Sequence, residues 1–183
     1  AADDPLILAA GTKSHQKGFE RLMPVFAELG RRIPNLHLAL LGLAPGKYHG
    51  RDQQAELRQL LGDSSDLQRR LLLPGVSGSM ARWYERATVF VLPSRFEGFP
   101  NVLLEAMAAG CACIASDCLT GPSDLIRHGE NGLLLSAQAS TGDWVEAIDG
   151  LLQDSDRCHQ LGARAAAVRE RYASERLRRD FLE

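Results

Sequence analysis

The sequence has no uninterrupted apolar stretch of the roughly 18 residues that a membrane span requires. Its richest run, residues 36–44, is broken by His37 and Gly42. There is no one-signed excess of charge: 21 Lys+Arg against 23 Asp+Glu leave a formal net charge of −2. A general nucleic-acid binder would carry a basic surplus, so that class is set aside. Four cysteines in 183 residues (Cys111, Cys113, Cys118 and Cys158) are too few for a disulfide scaffold and match no zinc-ligand spacing. A reducing compartment fits them best. Internal repeats and low-complexity tracts are lacking, as are the Walker A pattern GxxxxGK[ST] and an Asp-x-Asp metal pair after a suitable strand. The opening residues 1–5 are acidic and short, so they are not expected to be a signal peptide. They lack an initiator methionine and run at once into a strand, so a cut inside a longer chain is expected.

What remains is an ordinary globular composition. With 45% apolar residues and little net charge, disorder is excluded. A chain of this length forms about one domain and buries roughly 70% of its unfolded surface without staples. Strand and helix patterns alternate throughout. Short apolar runs at 5–10, 36–41, 70–73, 88–92, 111–115 and 132–135 predict six strands, with 88–92 the clearest because it is β-branched and aromatic. Between them, apolar spacing predicts helices over 18–33, 52–61, 79–86 and 101–109. One or two helical turns are expected within 121–128, helices at 143–152 and 155–171, and a helical tail at 173–183. The strands are continuously rather than alternately apolar, as in a parallel sheet covered on both faces. The predicted fold is α/β, a Rossmann-like parallel sheet of about six strands with helices on both sides. Cys111 and Cys113, two apart in an apolar run, read as small core residues.

Such sheets bind ligands at the carboxyl ends of their strands, so the loops there carry the functional reading. The first, residues 11–18, brings Gly11, Thr12, Lys13 and Lys17 to a helix start, where backbone N–H groups and the helix dipole favour phosphate. A solvated loop is the alternative. The second, after strand 88–92, contains Glu97, and Glu105 follows within the helix 101–109. That helix is apolar nearly all round, so Glu105 is expected to be buried and to need a partner. The partner is either a ligand hydroxyl pair or a protein amide or base. Asn101 and Val102 fall in the first turn of this helix, where N–H groups lack intrahelical partners. Phe99 and Gly98 join them in a second anion-accepting turn, so a diphosphate is expected.

The pattern Glu97-x7-Glu105 within FEGFPNVLLEAMAAG, after VFVLPS, resembles the donor-binding signature of retaining glycosyltransferases of family 4, whose fold is GT-B. Three further segments resemble that family in the same order: Gly11…Lys17-Gly18-Phe19, Leu73-Pro74-Gly75-Val76 and Gly129-Glu130-Asn131-Gly132-Leu133-Leu134. The resemblance covers about residues 6–175 and implies one half of a GT-B enzyme, residues 1–183 being its C-terminal, donor-binding domain and the N-terminal acceptor domain being absent. It implies that Lys17 pairs with the donor diphosphate and that Glu97 hydrogen-bonds the transferred sugar. These two are the catalytic candidates. Phe99, Asn101 and Val102 would supply backbone contacts, Glu105 would hold the ribose hydroxyls, and Val76 would line the base pocket. Thr12 stands where the family has arginine, and Lys13 is the adjacent substitute cation, without the bidentate fork.

The resemblance further implies no metal and no cofactor beyond the donor itself, a UDP-hexose or UDP-N-acetylhexosamine. Residues 116–126 resemble members that build bacterial surface glycans. A cytoplasmic location is expected, with the inner face of the membrane as the alternative. The fragment alone is expected to be inactive. Two rivals are a stand-alone nucleotide-binding module and half of a UDP-sugar 2-epimerase. His15, His49 and His128 read as surface residues. Arg164, Arg169, Arg171, Arg176, Arg178 and Arg179, interleaved with acids, read as a solvated helix face, with contact to an anionic membrane as the sharper alternative.

Overall fold

The computed structural model describes residues 4–46 and 50–172. In chain order the elements begin with β1 (Leu6–Ala10), α1 (Ser14–Lys17), a 3₁₀ turn (Phe19–Arg21), α2 (Leu22–Arg32), β2 (His37–Leu41), α3 (Gln53–Leu61) and α4 (Ser65–Arg70). Then come β3 (Leu71–Gly75), α5 (Met80–Arg86), β4 (Val89–Leu92), α6 (Asn101–Ala108), β5 (Ala112–Asp117) and α7 (Pro122–Leu125). The chain continues through β6 (Leu133–Ser136), α8 (Thr141–Gln153), α9 (Ser155–Ala165) and α10 (Val168–Arg171). The six strands form one parallel sheet in the order β3-β2-β1-β4-β5-β6. The expected Rossmann-like architecture is therefore present.

Residue alternation along each strand builds the two faces. Ile7, Ala9, Leu38, Leu40, Val89, Val91 and Ile114 enter one core with Phe26 of α2 and Trp144 of α8. Leu6, Leu8, Ala39, Leu41, Phe90, Leu92 and Cys113 enter the other with Tyr84 of α5 and Leu103 and Met107 of α6. Both faces are buried, which is why the strands show no polar alternation. Cys111 and Cys113 are buried core residues, as expected, and all four thiols are free.

Where the structure departs from the sequence reading, local chemistry explains the difference. The helix predicted over 18–33 is broken at its start, because Gly18 adopts φ +67° and closes α1. The polar segment 65–70 forms α4, capped by the Ser64 hydroxyl, which accepts from Leu67 N–H. β3 runs on through Pro74 and Gly75, which it tolerates as an edge strand. α8 starts earlier than predicted, at a capping box formed by Ser140 and Asp143. The helix predicted over 155–171 is two helices, α9 and α10, separated at Ala166–Ala167. The predicted tail 173–183, with Arg176, Arg178 and Arg179, and also His49 lie outside the described residues.

Candidate functional site

In the order β3-β2-β1-β4-β5-β6 all strands run parallel, but successive strands are added toward one edge up to β3 and toward the other from β4, so the order of winding switches between β1 and β4. Doubly wound sheets bind ligands in the crevice outside the carboxyl ends of the strands at that point. Here the crevice is formed by Gly11–Gly18, leaving β1, and Pro93–Pro100, leaving β4. Gly18 lets the two segments touch: a Cβ there would lie 2.1 Å from the Pro93 carbonyl oxygen. Arg95 N–H donates to Gln16 O at 2.9 Å and the Arg95 guanidinium to His15 O at 2.8 Å. The same guanidinium pairs with Glu20.

Lys17 and Glu97 meet across this seam. Lys17 Nζ lies 2.7 Å from Glu97 Oε1, with side-chain exposures of 15% and 4%. The stem of Lys17 crosses directly over Gly11, where any Cβ would come within 2.5 Å of its Cγ. Gly11 is thus required by close approach. Ser94, completely buried, donates its hydroxyl to the same Glu97 oxygen, and Thr120 Oγ1 donates to the Glu97 carbonyl. Glu97 Oε2 has no hydrogen bond among the described residues. The arrangement is a buried carboxylate held by one oxygen, with the other left to bind.

Glu105 corrects the sequence reading. It is exposed rather than buried. In α6, Leu103, Ala106 and Met107 face the core, whereas Asn101 and Glu105, one turn apart, share the outward stripe. Composition around a helix does not reveal which stripe its one acid occupies. A partner is nevertheless present: Tyr84 OH donates to Glu105 Oε2 at 2.9 Å. Burial, reinforced by that carboxylate, holds the tyrosine hydroxyl protonated well above its ordinary range.

The remaining predicted residues form an open rim. Thr12, Lys13 and Asn101 are exposed, and Val76, just past β3, is 74% exposed. Phe99, 47% exposed, packs its ring on Tyr172 at 5.9 Å between centroids. Val102 N–H lies in the first turn of α6 without an intrahelical partner, while Asn101 N–H bonds Phe99 O at 3.0 Å. The loop after β1 is less free than expected: Ser14 N–H is taken by Gln53 Oε1 at 2.8 Å. A hollow of about 300 Å³, lined by Ser14, His15, Glu20, Arg51, Gln53 and Leu60 among others, lies beside this loop and includes neither Glu97 nor Glu105. Sequence reasoning missed Ser94, Thr120, Tyr84 and Gln53. A hydroxyl two residues past the end of β4 was the only local signal, since the others act from distant segments. Among the described residues, no group of three or more His, Cys, Asp or Glu is placed to hold a metal ion, and no helix is long and apolar enough to cross a membrane.

The family model for glycosyl transferases group 1 matches residues 1–168. A D-inositol 3-phosphate glycosyltransferase of Pseudarthrobacter chlorophenolicus is 35% identical over 164 residues, covering 89% of this chain and 38% of that protein. A lipopolysaccharide 1,6-galactosyltransferase of Salmonella typhimurium is 51% identical over 55 residues, 30% of this chain and 15% of that protein. Among solved structures, Anabaena HepE in complex with UDP superposes with a TM-score of 0.86 at 21% identity, over 99% of this chain and 48% of that one. The chain spans less than half the length of the curated relatives it matches. This chain belongs to the glycosyl transferases group 1 family, and its fold is one half of a GT-B architecture.

Proposed function

We propose that this chain is the donor-binding half of a retaining glycosyltransferase that takes a UDP-hexose or UDP-N-acetylhexosamine for glycan or surface-polysaccharide synthesis. The observation that carries the reading is the Lys17–Glu97 pair at the β1/β4 crevice, with one carboxylate oxygen uncommitted. An acid held so firmly by a cation and a serine is suited to accept hydroxyl hydrogens of a sugar. On donor binding Lys17 turns its charge to the diphosphate while staying near Glu97. Departure of the nucleoside diphosphate builds charge on the β-phosphate. Once Lys17 has turned on donor binding, it and Val102 N–H face that charge, so little further reorganisation is needed during the reaction. In this reading no metal ion is needed, and chelation leaves donor binding unchanged. Glu97 orients the sugar as oxocarbenium character develops. Glu105, oriented by Tyr84, takes the ribose hydroxyls, and the exposed stretch around Val76 takes the base.

The galactosyltransferase name among the relatives supports hexosyl transfer, the inositol-phosphate glycosyltransferase name supports glycosyl transfer, and the UDP-bound HepE supports the nucleotide. Free thiols at Cys111, Cys113, Cys118 and Cys158 fit a reaction on the cytoplasmic side. The acceptor is supplied by a second domain, so this half alone binds donor without transferring it. A thermal-shift panel of nucleotide sugars tests the proposal. UDP-hexoses and UDP-N-acetylhexosamines should raise the melting temperature, and a panel in which no nucleoside diphosphate does so would refute it.

A further inference from the structure

We propose that Gln53 is a positioning residue for the diphosphate grip: one side-chain amide bridges Thr12 and Ser14 and so fixes the turn that presents Lys13 and leads into Lys17. The inference rests on the donor-site reading above. Gln53 Oε1 accepts from Ser14 N–H at 2.8 Å, and Gln53 Nε2 donates to Thr12 O at 3.5 Å. Apart from the backbone bonds of α1, among them Lys17 N–H to Lys13 O at 2.9 Å, these are the only hydrogen bonds that reach residues 12–14 among the described residues from outside this turn. Lys13 lies between the two bridged residues in an extended conformation, φ −120° and ψ 97°. Gln53 thus clamps the backbone on both sides of Lys13, while α1 holds the Lys13 carbonyl.

The chemistry of the residue suits the task. A primary amide offers an acceptor and donors within one planar group, so it can satisfy an N–H and a C=O at once. Glutamate, lysine and arginine each lack one half of that pair. Ser14 N–H opens α1 and has no partner inside it, so Gln53 caps that turn from 39 positions away. The anchor itself is firm. Asp52 caps α3 by accepting from Ala55 N–H at 3.0 Å, and Gln54 donates to Leu43 O at 2.7 Å. Leu57 and Leu61 of the same helix are buried in the core. The start of α3 thus holds the loop after β1 with one glutamine and the loop after β2 with the next. Ordering the loop before the ligand arrives removes an entropy cost from binding.

Calorimetry of UDP and of uridine on the chain and on two variants tests the role. Gln53→Met keeps the length and removes both hydrogen bonds. It should weaken UDP about tenfold, roughly the worth of one or two hydrogen bonds, and leave uridine affinity unchanged. Gln53→Glu keeps the acceptor for Ser14 and loses the donor to Thr12, so its melting temperature should fall no further than that of Gln53→Met, and its UDP-to-uridine preference should fall as well. A residue that merely stabilises the fold would lower the melting temperature and leave that preference intact, which would overturn the proposal. If the unaltered chain binds uridine as tightly as UDP, the diphosphate reading fails and the role of Gln53 falls with it. Loss of UDP preference in the variants alone supports it.

Discussion

The Lys17–Glu97 pair is where stability and function compete for the same atoms. With Glu97 only 4% exposed at its side chain, removing its cation leaves a nearly buried charge. Lys17→Met should therefore cost about 3 kcal/mol in urea unfolding. Adding Glu97→Gln should restore most of that loss, because the second change removes the orphaned charge. Neither variant should distinguish UDP from uridine. Glu105 behaves differently because it is exposed. Glu105→Ala should cost less than about 1 kcal/mol, the loss of one hydrogen bond from Tyr84, while lowering UDP affinity about tenfold. Buried neutral groups add a pH dependence with a definite sign. Burial raises the Cys111 thiol from 9.0 to about 12, and it raises Tyr84 too. Above pH 9 the unfolded chain therefore releases protons that the folded chain keeps. The stabilising contribution of Cys111 is complete below pH 9 and declines as pH climbs towards 12. Denaturant unfolding between pH 8 and 11 should show stability falling, with a shallower fall in Cys111→Ala.

At the scale of elements, backbone close approach decides what may vary. Gly18 combines φ +67° with a Cβ position 2.1 Å from Pro93 O. Gly18→Ala should lower stability by about 2 kcal/mol or more, a left-handed strain plus a steric one, and should open the seam that joins Lys17 to Glu97. A Cβ on Gly162 of α9 would meet Gly110 O at the same 2.1 Å. Gly162→Ala should destabilise comparably but leave UDP affinity unchanged in the folded fraction, since that contact lies away from the crevice. These elements were unevenly legible in the sequence. β4 and α6 were read to within a residue because an apolar run and its punctuation coincide there. α4 was missed because six mostly polar residues bury little besides Leu67 and the shaft of Arg70. The break between α9 and α10 falls in alanines, which signal no stop.

For the whole molecule, the topology was legible because a continuous apolar period imposes a two-faced parallel sheet, and the carboxyl-end rule then locates the crevice. The partnerships within it were not legible. Lys17 and Glu97 are 80 residues apart, Thr120 and Tyr84 arrive from other elements, and the exposure of Glu105 depends on how α6 is rotated. Local pattern contains none of that. The open rim is also a property of the whole: Val76 and Phe99, which come from separate segments beyond the ends of β3 and β4, are both exposed. The central claim is that this rim, rather than any enclosed hollow, binds the nucleotide. The most direct check is a backbone amide NMR titration of the chain with UDP. The account predicts the largest shifts at Gly11, Lys17, Gly98, Asn101 and Val102. Shifts confined to the hollow of about 370 Å³ beside Cys111 and Cys158, with the rim silent, would contradict it.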